Sequence, residues 1–250
     1  MASIKVIHDE LMIARFFNEV VPNLVDDEVM VVLGVARRKY CPEGRAISSN
    51  QNALFREIFR YDDPQRLLRL LLRFEVSEHC YVDKKTGISV PPESVAVYID
   101  LNPKSGAKAT ASFSKAMTDQ YIAAISNRDG LEEFTHLKSR LYSQVVKHNS
   151  RKVYKLLDVD SKVREDVDNA IRLLYEAGVN IAWVSQTRGG YHVLITCDKG
   201  LEAFYKRVWP SLQKLNGSCE KPIYELPGDC MTPIPGTYQG GVPVRRYDFE

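Results

Sequence analysis

The tightest constraint in this sequence is the order in which its hydrophobic period changes between residues 153 and 226. Val153–Val159 is an apolar run of strand length. Ser161 is placed to cap a helix whose apolar positions Val163, Val167, Ile171 and Leu174 recur at helical spacing. Gly178 falls where a helix C-terminal glycine belongs. Ile181–Ser185 reads as a strand, Thr187-Arg188-Gly189-Gly190 as a turn, and Tyr191–Thr196 as the returning strand. A helix follows from about Leu201 to Leu215, with Pro210 as a point of interruption, and a short strand covers Pro222–Leu226.

Strand, helix, two strands, helix, strand is the ferredoxin-like, split βαβ plan. In that plan the first and third strands are central neighbours. The end of Val153–Val159 is therefore expected beside Tyr191–Thr196, where the two strands can build one site on the open face. The first half also mixes helices and strands. Asp9–Val20 reads as an amphipathic helix, Val29–Val35 as a buried strand, and Pro64–Phe74 as a helix with a wide leucine face. Val95–Leu101 is a further strand, and helices are expected near Ser112–Ser126 and Leu131–His148. The polar run His148–Lys152 is the best boundary. The expected class is α+β, with an N-terminal α/β module over 1–150 and a βαββαβ module over 151–250.

Composition limits the partners. The chain has 250 residues, 44% of them apolar, and a net charge of +2, which excludes a disordered chain and a protein that coats nucleic acid by bulk positive charge. A local basic patch stays open. Five cysteines, an odd number with no C-x-x-C pair, predict free thiols in a reducing compartment; no ligand spacing supports a zinc site, His79 and Cys80 included. The first residues lack the apolar run of a signal peptide, and no stretch is long enough to span a bilayer, so no membrane partner and a cytoplasmic location are expected.

The chemistry gathers in three places. Asp158 and Asp160 alternate onto one face of the first strand, where two carboxylates repel unless a divalent cation neutralises them; Mg²⁺ or Mn²⁺ prefers such oxygens. An acidic turn capping the next helix is the plainer alternative. Across from them, Gly189 and Gly190 permit close backbone approach, and Arg188 and His192 can donate to phosphate oxygens. The third place is the loop Gly228–Gly241, with Asp229 or Glu225 as a further acid and Pro235-Gly236-Thr237 as a rigid turn. Elsewhere Arg37-Arg38-Lys39 follows a predicted strand and could grip a template or triphosphate, as could Lys104 and Lys108. Arginines 56, 60, 66, 69 and 73 read as a solvated helix face. Tyr154 and Tyr191 fall on the central strands, where an RNA-recognition-type sheet presents stacking aromatics.

The ordered set Asp158-x-Asp160, Gly190-Tyr191-His192 and Pro235-Gly236-Thr237 resembles the archaeo-eukaryotic primase superfamily over roughly residues 153–246. The segment Tyr98–Pro103 is similar to one found in some viral members. The resemblance implies an RRM- or ferredoxin-like catalytic module packed on an N-terminal α/β module, with the active site in the cleft. It implies metal-dependent nucleotidyl transfer by a primase or DNA polymerase, synthesising or extending a primer on single-stranded DNA from nucleoside triphosphates. Asp158, Asp160 and Asp229 would be the catalytic metal ligands, with Glu225 the alternative third acid. His192 would contact the nucleotide phosphates, assisted by Arg188, with Gly190 and Thr237 completing the nucleotide site. Arg37, Arg38 and Lys39 would hold nucleic acid. A helicase or other replication protein would come as a separate chain, and the protein would be intracellular, with a virus or plasmid as a candidate source. Two features depart from the family pattern. Gly190 stands where many members carry a serine, and Pro233 and Ile234 stand where many carry an arginine, for which Arg245 or Arg246 is a candidate replacement. A non-catalytic RRM-like subunit binding single-stranded nucleic acid or a nucleotide is the alternative.

Overall fold

The computed structural model describes residues 3–60, 63–127, 136–217 and 221–249. The chain is α+β with two antiparallel sheets. Helix α1 (Glu10–Val20) starts at Asp9, whose side chain accepts from Met12 N at 2.9 Å, and buries Ile13, Phe16, Phe17 and Val20 along one face. Strands β1 (Glu28–Arg37) and β2 (Gln51–Phe59) follow, then α2 (Pro64–Leu72), with Pro64 in its first turn and Leu67, Leu68, Leu70 and Leu71 buried. Next come β3 (Val95–Ser105), α3 (Gly106–Asn127) and α4 (Leu137–Lys147). Residues 131–135, expected to begin α4, lie outside the described residues.

Strand β2 has no counterpart in the sequence reading. It is an edge strand of mixed exposure, which blurs its alternation. Arg56 therefore lies on a strand rather than a helix, with its guanidinium over the Tyr142 ring. Strand β3 also runs four residues beyond Leu101 and is buried throughout. Lys104 can be buried there because its Nζ lies 2.6 Å from Asp100 Oδ2, so it grips no external ligand.

The second half brings β4 (Tyr154–Val159), α5 (Arg164–Glu176), β5 (Ile181–Gln186) and β6 (Tyr191–Thr196). Ser161 does not cap α5. Its hydroxyl organises the turn before it, donating to Asp166 Oδ2 at 2.5 Å and accepting from Val163 N. Gly178 does terminate α5, with φ +70°, and Val179 N returns to Leu174 O. The following helix is continuous from Gly200 to Asn216, but Phe204–Val208 forms a π-turn just ahead of Pro210. The wider turn accommodates a ring that has no N–H and would crowd the preceding turn. Strand β7 (Tyr224–Glu225) completes this set, and β8 (Met231–Pro233), β9 (Tyr238–Gln239), β10 (Val242–Pro243) and β11 (Arg245–Arg246) end the chain.

The first sheet has the order β10-β9-β3-β1-β2, with β8 also on β3; the second has β11-β5-β6-β4-β7. As the alternation requires, Leu157, Val159, Val193 and Ile195 face α5 and the Gly200–Asn216 helix, where they meet Leu174, Phe204 and Leu212. Leu156, Leu194 and Trp183 point the other way and join the core around α1 and α2, with Trp183 edge-on to Phe16 at 5.4 Å. The second sheet is thus covered on both faces, and the face opposite α5 looks toward the first module. Among the described residues no helix is long and apolar enough to cross a membrane. Cys41, Cys80, Cys197 and Cys230 are free thiols, and Cys219 lies outside the described residues.

Candidate functional site

The register of the second sheet aligns four side chains in a row. Ser185 pairs with His192, His192 with Asp158, and Asp158 with Glu225. Cross-strand partners share a face, so this row looks toward the first sheet. A cavity of about 330 Å³ opens there. Asp158, Asp160, Gly189, His192 and Asp229 line it from the second half of the chain, and Arg37, Lys39, Gln51 and Tyr98 from the first. Residues separated by more than a hundred positions in sequence therefore share one cavity.

Its electrostatics are those of two crowded acids facing two bases. Burial, and then the Asp160 carboxylate, push the Asp158 carboxyl up to about 6, against the pull of Lys39 and Arg37. Burial and Arg37 push the His192 imidazole down to about 4. His192 Nε2 lies 3.5 Å from Asp158 Oδ1. Both shifts work against an ion pair at this contact, and 3.5 Å is long for a hydrogen bond. The Arg37 guanidinium sits 5.0 Å from the Tyr98 ring centre, and its buried Nε has no hydrogen-bond partner among the described residues.

Several expected residues lie elsewhere. Arg38 is exposed and does not line the cavity. Arg188 braces the wall: its N–H donates to Gln239 Oε1 at 2.8 Å, and its guanidinium stacks 4.6 Å over Tyr40 and donates to Gly240 O. Thr237 is fully buried, and its hydroxyl closes the turn by donating to Ile234 O at 2.7 Å. Gly190 is absent from the cavity lining. It packs against the backbone of Val159 and Ser161, so its missing side chain makes room for the protein itself. Gly189 is the glycine at the cavity, where a Cβ would lie 3.4 Å from Asp160 Oδ1. Arg246 is held over Trp183 and by Glu19, and does not line the cavity.

Neither tyrosine offers a stacking platform. Tyr154 packs into the core, with its hydroxyl donating to Val20 O at 2.8 Å, and Tyr191 lies on the helix side of the sheet against Tyr247. The third acid is not gathered with the pair. Asp229 lines the cavity from the loop that crosses from β7 to β8, and Glu225 is on the shared row but outside the lining. Among the described residues no three His, Cys, Asp or Glu side chains form a group that could hold a metal ion.

Sequence reasoning missed Gln51, Tyr98 and Gln239, the last donating to the Tyr98 hydroxyl at 3.0 Å. Only Tyr98 carried a signal, through the segment it begins. No family model, curated protein or solved structure matches the chain.

Proposed function

We propose that the protein is a metal-dependent nucleotidyltransferase of the primase or DNA polymerase type, using nucleoside triphosphates on a single-stranded template. The observation that carries this reading is the convergence of Asp158, Asp160, His192, Arg37 and Lys39 on one cavity, with the Asp158 carboxyl driven up to about 6. The strand order β7-β4-β6-β5 supports it, being that of a ferredoxin-like sheet.

The donor set suits Mg²⁺ or Mn²⁺ in one particular manner. Two carboxylates whose mutual repulsion is relieved by a cation match the way Mg²⁺ is held, by one or two carboxylates with substrate phosphates and water completing the shell. A cation bound there would lower the pKa of an attacking 3′-hydroxyl and stabilise charge on the leaving pyrophosphate. Asp158 and Asp160 would hold it. Arg37 and Lys39 would neutralise the triphosphate, with the idle Arg37 Nε as one donor. His192 would hydrogen-bond a phosphate oxygen.

That the described residues hold no three-ligand group favours one second reading, a non-catalytic nucleotide-binding subunit of a replication or repair complex. A primer-extension and de novo synthesis assay with Mg²⁺ or Mn²⁺ separates the two. Synthesis by the wild type, abolished in Asp158→Ala and Asp160→Ala variants that stay folded, is the expected result. Unchanged synthesis in the double variant would refute the catalytic reading, and triphosphate binding without synthesis would select the second.

A further inference from the structure

His192 is held from across the cleft. Its Nδ1 lies 3.0 Å from Thr232 Oγ1. Thr232 belongs to β8, opposite Ile99 in the first sheet, and is 1% exposed. A side chain of one sheet therefore fixes a ring carried by the other.

The direction of that hydrogen bond follows from counting protons. A threonine hydroxyl has one proton to donate, and a neutral imidazole has one donor and one acceptor nitrogen. Among the described residues, His192 is the only hydrogen-bond partner of the Thr232 hydroxyl. Were the ring to donate from Nδ1, the hydroxyl proton would be left buried and unpaired, which native interiors avoid. The reverse arrangement pairs the buried hydroxyl proton and leaves the ring's own proton facing the cavity. The hydroxyl donates to Nδ1, and the ring carries its proton on Nε2, on the side of Asp158 Oδ1.

We infer that Thr232 is a positioning residue that locks neutral His192 in its Nε2–H tautomer, so that an uncharged histidine presents a hydrogen-bond donor to a phosphate oxygen in the cavity. The tautomer rests on these contacts alone; its use on a phosphate rests on the function proposed above. A ring that accepts a proton at Nδ1 and keeps its own on Nε2 is by that fact neutral. Such a donor orients a phosphate oxygen without adding a third positive charge beside Arg37 and Lys39.

The test is long-range ¹H–¹⁵N NMR of the imidazole in the wild type, Thr232→Val and Thr232→Ser, together with calorimetric titration of each by dATP and Mg²⁺. The expected wild-type signature is a protonated Nε2 and a bare Nδ1. Thr232→Ser retains it. Thr232→Val gives mixed tautomers and binds dATP about three- to tenfold more weakly, the range of one lost hydrogen bond. A wild-type ring protonated on Nδ1 overturns the inference, and needs no variant to fold. An unmixed Nε2–H tautomer in Thr232→Val overturns it equally. If the tautomers behave as expected but the wild type does not bind dATP, the assignment of Thr232 stands and the triphosphate reading falls.

Discussion

Replacing Gly190 by alanine places a methyl group against backbone that cannot yield. The added carbon would sit 2.7 Å from Ser161 O and 2.8 Å from Ser161 N, with the Val159 carbonyl nearer still. These atoms belong to the segment that carries Asp158 and Asp160, on which Asp160 N donates to Ile223 O at 2.8 Å. Because backbone is struck, no rotamer change relieves the overlap, and the cost belongs at the upper end for overpacking, about 3 kcal/mol or more. That is a large share of the roughly 5–15 kcal/mol that holds a domain together. For a chain of this size each kcal/mol shifts the melting temperature by about 2–4 °C, so the variant is expected to melt about 6–12 °C below the parent. Gly189→Ala is the matched control. Its methyl meets only Asp160 Oδ1, at 3.4 Å, so its melting temperature stays close to the parent's while binding in the cavity changes. Thermal unfolding by circular dichroism reads both. A Gly190→Ala protein that melts within about 1 °C of the parent would refute the claim that this glycine serves the protein's own packing.

Four further outcomes follow from the same geometry. The raised Asp158 carboxyl contributes stability that is complete below the ordinary carboxylate range and is lost as pH rises through about 6; the stability difference between wild type and Asp158→Asn, measured by urea unfolding from pH 4 to 7.5, should therefore fall over that window in metal-free buffer, and a flat difference would contradict it. Asp83 behaves oppositely: Ser48 N–H and hydroxyl hold its carboxyl down to about 2, so its stabilising effect is lost as pH falls from about 3.8 toward 2, and an acid titration of Asp83→Asn should lack that component. Lys104→Met leaves Asp100 buried without its partner and should cost about 3–5 kcal/mol, with Asp100→Asn on the same chain restoring much of it, as read by urea unfolding. Tyr154→Phe removes the bond to Val20 O and should cost about 1 kcal/mol without altering the affinity for oligo-dT in fluorescence anisotropy; a large loss of affinity would restore Tyr154 as a stacking residue.

Local pattern was enough where elements are long and periodic. The leucines of α2, the apolar strand-length runs of β4 and β6 and the glycine after α5 each announce their element, and strand parity alone puts Asp158 and Asp160 on one face; that this face looks toward the first module follows only from the fold. The strands after Tyr224 were mostly illegible, because two- and three-residue strands have no period and are defined by distant partners such as Tyr98 and Asp100. The same limit governs the site. Asp158, Asp160 and His192 can be read from sequence because adjacent strands bring them together, whereas Gln51 and Gln239 reach the cavity only through the meeting of the two halves. Glycine chemistry shows a subtler failure. A Gly-Gly pair signals close approach, but sequence does not say that Gly190 approaches its own backbone and Gly189 the cavity.

The chain's last crossing between sheets has a mechanical consequence. Strand β10 belongs to the first sheet and β11 to the second, with only Val244 between them. Val244 is itself fastened: its N–H donates to Thr237 O, and its carbonyl accepts from Gly236 N. A joint of one residue, two peptide links, reaches about 7 Å at most and has little slack. At that corner the two layers cannot part without tearing a strand from one of them. The two sheets are therefore stitched together at one corner, and any separation of them must begin at another edge.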